Sequence, residues 1–168
     1  MGASISTPEE AQLVDEFEIF KQVEAIKQVK YRYLRALDTK AWDEFAGTLA
    51  ENVTGDYGDS LSFTTRTELV DFMKSSLGAA VLTEHRVDHP EITVDGDEAT
   101  GRWYLQDRVI VADFNFMLFG AAFYNDRYTR TAEGWKISAT GYDRTYEATV
   151  SLEDIPSFKV KPGAALNL

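Results

Sequence analysis

The sequence predicts an α+β fold in which three N-terminal helices cover one face of a strongly curved, mixed or antiparallel sheet wrapped around a pocket. Three observations predict it. Apolar residues recur at helical spacing as far as Leu77. From Val81 onward the period changes to two, the repeat of a strand with one buried face. Asp95-Gly96 then supplies the residue pair that a tight hairpin prefers.

The elements follow in order. Thr7-Pro8-Glu9-Glu10 reads as a helix start, with Thr7 as cap, Pro8 in the first turn and Glu10 completing a capping box. Ala11–Leu37 continues it through Phe17, Phe20, Ile26, Val29, Tyr33 and Leu37, with a break expected near Phe20. Asp38 is placed to cap a second helix over Lys40–Leu49, whose stripe is Trp42, Phe45 and Leu49. A brief strand at Val53–Tyr57 precedes a third helix, Arg66–Leu77, capped by Thr65 with Glu68 as box partner and ended by Gly78. Four longer strands complete the sheet: Val81–Val94, bent near Pro90; Glu98–Phe114; Leu118–Thr131; and Trp135–Val150. Residues 1–150 form one domain. Residues 151–168 read as an extended tail, whose Ile155, Phe158 and Val160 suit docking on a second subunit.

Composition narrows the chemistry. The net charge is −11, from 28 acidic and 17 basic residues, so neither nucleic acid nor an anionic membrane is an expected partner. There are no cysteines and two histidines, which excludes thiolate chemistry, cysteine metal sites and a three-histidine centre within one chain. No dinucleotide or phosphate-loop motif is present, and no cofactor is expected. Without an apolar export segment or a run of about 20 apolar residues, the expected location is cytoplasmic.

Five polar residues stand on otherwise apolar elements: Tyr33, Asp38, His85, Asp107 and Arg144. Burying such groups costs free energy unless they are paired, so their concentration points to a shared site. The local patterns around them resemble the nuclear-transport-factor-2-like superfamily and its SnoaL-like branch. They are Tyr31-Arg32-Tyr33-Leu34-Arg35-Ala36-Leu37-Asp38 with Trp42; Thr83-Glu84-His85-Arg86 leading to His89-Pro90-Glu91-Ile92 and Asp95-Gly96-Asp97-Glu98-Ala99; and Tyr124-Asn125-Asp126-Arg127-Tyr128-Thr129-Arg130-Thr131 closed by Gly134-Trp135-Lys136-Ile137. The resemblance implies a cone-shaped fold over roughly Glu18–Glu147. Within the branch the resemblance of the polar set is to the bile-acid 7-alpha-dehydratase and scytalone-dehydratase type. It implies catalytic roles for Tyr33, Asp38, His85, Asp107 and Arg144. Many relatives carry an arginine where this chain has Thr140.

Each residue also has a plainer reading. His85 suits proton transfer near neutrality, or bonds a backbone group at a strand edge. His89, before Pro90, suits a turn or rim. Asp107 either orients His85 or forms a buried salt bridge, for which Arg144 is a candidate. Asp38 is either a helix cap or the partner of His85. Tyr33 either polarises a substrate oxygen or packs as core. Trp103, Phe72, Met73, Met117, Phe119, Tyr124 and Tyr142 are candidate pocket walls, or simply core.

By this resemblance the expected function is a cofactor-independent lyase (dehydratase) or isomerase acting on a small hydrophobic ring compound such as a steroid or polyketide. A polyketide cyclase or hydrolase, a non-catalytic small-molecule binding protein and a dioxygenase small subunit are the alternatives. A homo-oligomer, dimer or trimer, is expected through the outer sheet face.

Overall fold

The computed structural model describes residues 8–58 and 61–163. Helix α1 runs Pro8–Thr39, α2 Trp42–Gly47 and α3 Arg66–Ser76. The strands are β1 Leu49–Asp56, β2 Ser62–Phe63, β3 Leu82–Asp95, β4 Glu98–Val111, β5 Phe116–Thr131 and β6 Gly134–Ser151. They form one mixed sheet in the order β2-β1-β6-β5-β4-β3. β1 runs parallel to β6, and every other neighbouring pair is antiparallel.

The strongly curved, pocket-wrapping sheet expected from the sequence does not form. The sheet is open, with β2 at one edge and β3 at the other. A closed or tightly curled sheet has to pair or nearly join its edges, and the two-residue β2 offers almost nothing to pair. The space between helices and sheet is instead packed with large side chains. Trp103, Tyr33, Lys30, Phe45 and Tyr128 are all fully buried, and Tyr124 nearly so.

Alternation along β4 explains which face does this. Ala99, Gly101, Trp103, Leu105 and Asp107 are buried, while Glu98, Thr100, Arg102, Gln106 and Arg108 are exposed. The buried set meets Ile26, Val29, Tyr33 and Leu37 of α1, one stripe at helical spacing. The α3 cap forms as the sequence demands: Thr65 Oγ1 accepts from Glu68 N–H at 3.2 Å, and Glu68 Oε2 accepts from Thr64 N–H at 3.1 Å.

Other local expectations shift. α1 is one uninterrupted helix of 32 residues, without a break at Phe20; Thr7, its expected cap, lies outside the described residues. α2 is shorter than expected, and Ala41, not Asp38, precedes it without a side-chain cap. β2 is too short to show any periodicity in the sequence. The bend near Pro90 is present as a register shift between Asp88 and Glu91, with His89 at a φ of 50°. Gly141 in β6 lets β1 approach closely, since a Cβ there would stand 1.9 Å from the Asp56 carbonyl oxygen.

Candidate active site

Two elements distant in sequence bring Asp38 and His85 together. The last turn of α1 presents Asp38 to the start of β3, where Thr83 and His85 share one face because they are two residues apart. His85 Nδ1 lies 2.7 Å from Asp38 Oδ1, and the His85 backbone N–H donates to Oδ2 at 2.9 Å. The Thr83 hydroxyl donates to Oδ1 at 2.8 Å and itself accepts from Lys40 Nζ at 2.9 Å. Three donors therefore hold one carboxylate. Burial pushes the Lys40 ammonium below its ordinary value, and the Asp38 charge opposes this.

The network dictates the imidazole tautomer. An ionised carboxylate only accepts, so Nδ1 carries a proton, and in the neutral imidazole Nε2 is then the nitrogen with the lone pair. The His85 side chain is 9% exposed and Asp38 25%, so the pair is sheltered yet reachable. This is the arrangement of a general base held by a carboxylate.

Asp107 sits directly opposite His85 in the β3–β4 register, but its carboxylate belongs to Arg144. Arg144 Nη1 donates to Oδ1 at 2.5 Å and Nη2 to Oδ2 at 2.7 Å, a bidentate pair. Of the two sequence readings of Asp107, the geometry is that of the salt bridge, while Asp38 holds the histidine. Arg144 lies on β6 and reaches across β5 because Gly120, paired with Asp107, has no side chain. A Cβ at Gly120 would meet Arg144 Nη1 at 3.0 Å and the Tyr146 carbonyl oxygen at 2.7 Å. The Arg144 guanidinium also stacks 4.6 Å from the Tyr142 ring centre. Burial works against the Arg144 charge, but its bonds to Asp107, with Tyr142 and Glu147 nearby, hold it above the ordinary arginine value. Burial raises the Tyr142 hydroxyl, with Arg144 opposing.

A second polar cluster lies deeper. Lys30 Nζ and Asp126 Oδ2 form an ion pair at 2.7 Å with both side chains wholly buried. Tyr128 donates to Asp126 at 2.8 Å, Thr140 donates at 2.8 Å, and Trp103 Nε1–H donates to the Tyr128 hydroxyl at 3.0 Å. Tyr33 is fully buried against Phe45, with ring centres 4.8 Å apart, and its hydroxyl is 3.1 Å from that of Tyr57. Burial pushes the Tyr33 and Tyr57 hydroxyls well above the ordinary tyrosine value.

The candidate wall residues divide by face. Trp103, Tyr124 and Tyr142 lie on the helix-facing side, and Met73 is buried in α3 with Phe72 packed against Phe63. Met117 and Phe119 pair with Ile110 and Arg108, and so share the opposite face from His85 and Asp107. That outer face carries a groove of about 1090 Å³ bordered by Thr93, Thr100, Arg102, Asn125 and Arg127. A smaller concavity of about 340 Å³ beside it is lined by His89, Glu91, Arg102, Tyr104 and Phe123. Neither is lined by Asp38, His85, Asp107 or Arg144.

Sequence reasoning missed Thr83, Gly120, Lys30 and Asp126. Two of these carried a readable signal. Lys30 falls within the apolar stripe of Ile26, Val29 and Tyr33, and Asp126 alternates with Tyr124 and Tyr128 on the inward parity of β5. Among the described residues, no group of three or more His, Asp or Glu is arranged to hold a metal ion, and no helix is long and apolar enough to cross a membrane.

The sequence model of a family described as a SnoaL-like domain matches residues 19–140. Among solved structures, the chain is similar to the Kfla4162 protein of Kribbella flavida at 21% identity and a TM-score of 0.72, over 76% of this chain and 93% of that one. It is similar to a candidate scytalone dehydratase of Novosphingobium aromaticivorans at 16% identity and a TM-score of 0.72, over 89% and 95%. It is also similar to the hexachlorocyclohexane dehydrochlorinase LinA-type3 of Novosphingobium barchaimii at 14% identity and a TM-score of 0.72, over 80% and 94%. At these identities the likeness is one of fold.

Proposed function

The chain belongs to the SnoaL-like domain family, and from that premise we propose that it is a cofactor-independent acid–base enzyme. It acts as a dehydratase-type lyase or an isomerase on a hydrophobic ring compound such as a steroid or polyketide. The observation that carries this reading is the sheltered His85–Asp38 pair at 2.7 Å, which leaves Nε2 as a free base. The likeness to scytalone-dehydratase and bile-acid 7-alpha-dehydratase proteins belongs to the same proposal and is supported by Tyr33, Asp38 and His85 standing on α1 and β3.

In this mechanism Nε2 removes a proton from the carbon beside a substrate carbonyl. The C–H electrons move into the ring, and charge develops on the carbonyl oxygen as an enolate. Arg144, supported by Asp107, supplies positive charge toward that oxygen, and Tyr33 contributes its hydroxyl dipole. In a dehydratase the enolate re-forms the carbonyl and expels the β-hydroxyl, which leaves as water with the proton held by His85. In an isomerase His85 returns that proton to a different carbon.

The test is turnover of a panel of cyclic β-hydroxy ketones, followed by the absorbance of the conjugated product. H85Q and D38N are each expected to lower kcat by about 10²–10⁴-fold, the usual contribution of a positioned base. Full turnover in both folded variants refutes the mechanism. Saturable binding of ring compounds without turnover in the unaltered protein favours a ligand-binding protein instead. We also propose homo-oligomerisation through the outer sheet face, where Phe119 and Phe123 are 37% and 38% exposed; a monomeric mass by sedimentation at micromolar concentration refutes it.

A further inference from the structure

Lys30 is wholly buried, and the proposed reaction makes no use of it. Its ammonium lies 2.7 Å from Asp126 and sits 3.3 Å from the centre of the Tyr124 ring. Asp126 in turn takes hydrogen bonds from Tyr128 and Thr140. A buried ion pair is weak evidence for stability, because an apolar pair of the same size often serves as well. Its best-attested use is to select one register over others.

Register is what the dyad requires. α1 carries Lys30 and Asp38, eight residues apart, which is about 12 Å along one rigid helix at 1.5 Å per residue. The apolar stripe of Ile26, Val29 and Leu37 holds the helix down without fixing its axial position, because hydrophobic contact is non-directional. The polar anchors of α1 are directional. Gln22 accepts from Trp135 on β6 at 2.7 Å, Lys30 meets Asp126 on β5, and Asp38 meets His85 on β3. A slide of about 1 Å would carry the 2.7 Å Asp38–His85 contact beyond hydrogen-bonding reach. The Tyr33 hydroxyl, 3.1 Å from that of Tyr57, is a further and neutral anchor, whereas Lys30–Asp126 joins two opposite charges sealed from water.

We propose that the buried Lys30–Asp126 ion pair is a positioning device that sets the axial position of α1 and thereby aligns Asp38 with His85. This rests on the reading of Asp38–His85 as the reactive pair. The test reads geometry without a substrate, so it can fail while turnover stands, or hold while turnover is absent.

The chain has only two histidines, so the His85 imidazole N–H resonance is assigned by its loss in H85Q. K30M, D126N and K30M/D126N perturb the pair in three ways. In each that folds, hydrogen exchange of the His85 Nδ1–H is expected to quicken at least about tenfold, the factor for loosening one hydrogen bond. Crystal structures of the same variants are expected to show Nδ1 and Asp38 Oδ1 more than about 3.5 Å apart. L69A, a core truncation in α3, is the control for general destabilisation, and its exchange is expected to be unchanged. The proposal is overturned if the pair variants lose thermal stability as L69A does while the resonance and the 2.7 Å contact persist. If none of the three folds, the pair is a requirement of the fold itself and the positioning role is withdrawn.

Discussion

Replacing Arg144 with methionine removes both hydrogen bonds from the Asp107 carboxylate while keeping an unbranched side chain in place. Asp107 is 4% exposed at its side chain and Arg144 20%, so the two partners are not equivalent. R144M strands the more deeply buried charge, and removing one partner of a buried pair costs about 3–5 kcal/mol. D107N is milder. The amide oxygen can still accept from the guanidinium, and Arg144 keeps Glu147 at 3.4 Å and the Tyr142 ring at 4.6 Å. Its expected cost is about 1–2 kcal/mol, that of weakening a charged hydrogen bond to a neutral one. The assay is urea unfolding followed by tryptophan fluorescence, with stability taken from the linear extrapolation. R144M/D107N closes the double-mutant cycle and gives the coupling between the two sites. The reasoning is refuted if R144M costs less than D107N, or if both cost under about 1 kcal/mol, which is how an exposed ion pair behaves.

Alkaline unfolding should be steep. Burial pushes the hydroxyls of Tyr33, Tyr57, Tyr124 and Tyr128 well above the ordinary tyrosine value. In the unfolded chain they ionise near pH 10, so above that pH the unfolded state holds fewer protons and stability falls as pH rises. Four such groups remove on the order of 5 kcal/mol per pH unit, at about 1.4 kcal/mol each. Lys30 and Lys40, both lowered by burial, act in the opposite direction, but they are two groups against four. Circular dichroism and tyrosinate absorbance should therefore change together above pH 10; complete tyrosine ionisation with the fold intact would contradict this. G141A should abolish the β1–β6 pairing or cost several kcal/mol, because the 1.9 Å approach is to backbone that cannot swing aside; a stable variant with unchanged melting temperature would contradict the close approach. T65A should cost about 1 kcal/mol in thermal unfolding through loss of the α3 cap, and an unchanged midpoint would show the cap to be idle.

Local windows of the sequence hold the information that local physics uses. The Thr65–Glu68 box, the Asp95-Gly96 hairpin and the alternation of β4 are each settled within a few residues, and each forms where the sequence places it. The polar set was also legible as a set, because Tyr33, Asp38, His85, Asp107 and Arg144 interrupt apolar patterns whose buried faces can be counted off. Lys30 and Asp126 carry the same signal, but it is weaker, since an isolated Lys on a helix usually faces water.

Partner choice lay beyond the sequence. Asp38 has equal local claims as a cap for α2 and as a partner for His85; only the seating of α1 against β3 hands it to the histidine. Asp107 stands opposite His85 in register, yet the gap left by Gly120 lets Arg144 claim it from two strands away. The openness of the sheet is likewise a property of the whole. It follows from a two-residue edge strand and from rings of α1, β4 and β5 filling the volume that a tighter curl would have enclosed. The sequence alone determined helix and strand periods, the hairpin and the list of polar residues that needed partners, because backbone geometry and burial parity act over a few residues. The tertiary structure decided which partner each one took, because a hydrogen bond or ion pair depends on distances of a few ångströms between groups that the chain itself keeps tens of residues apart.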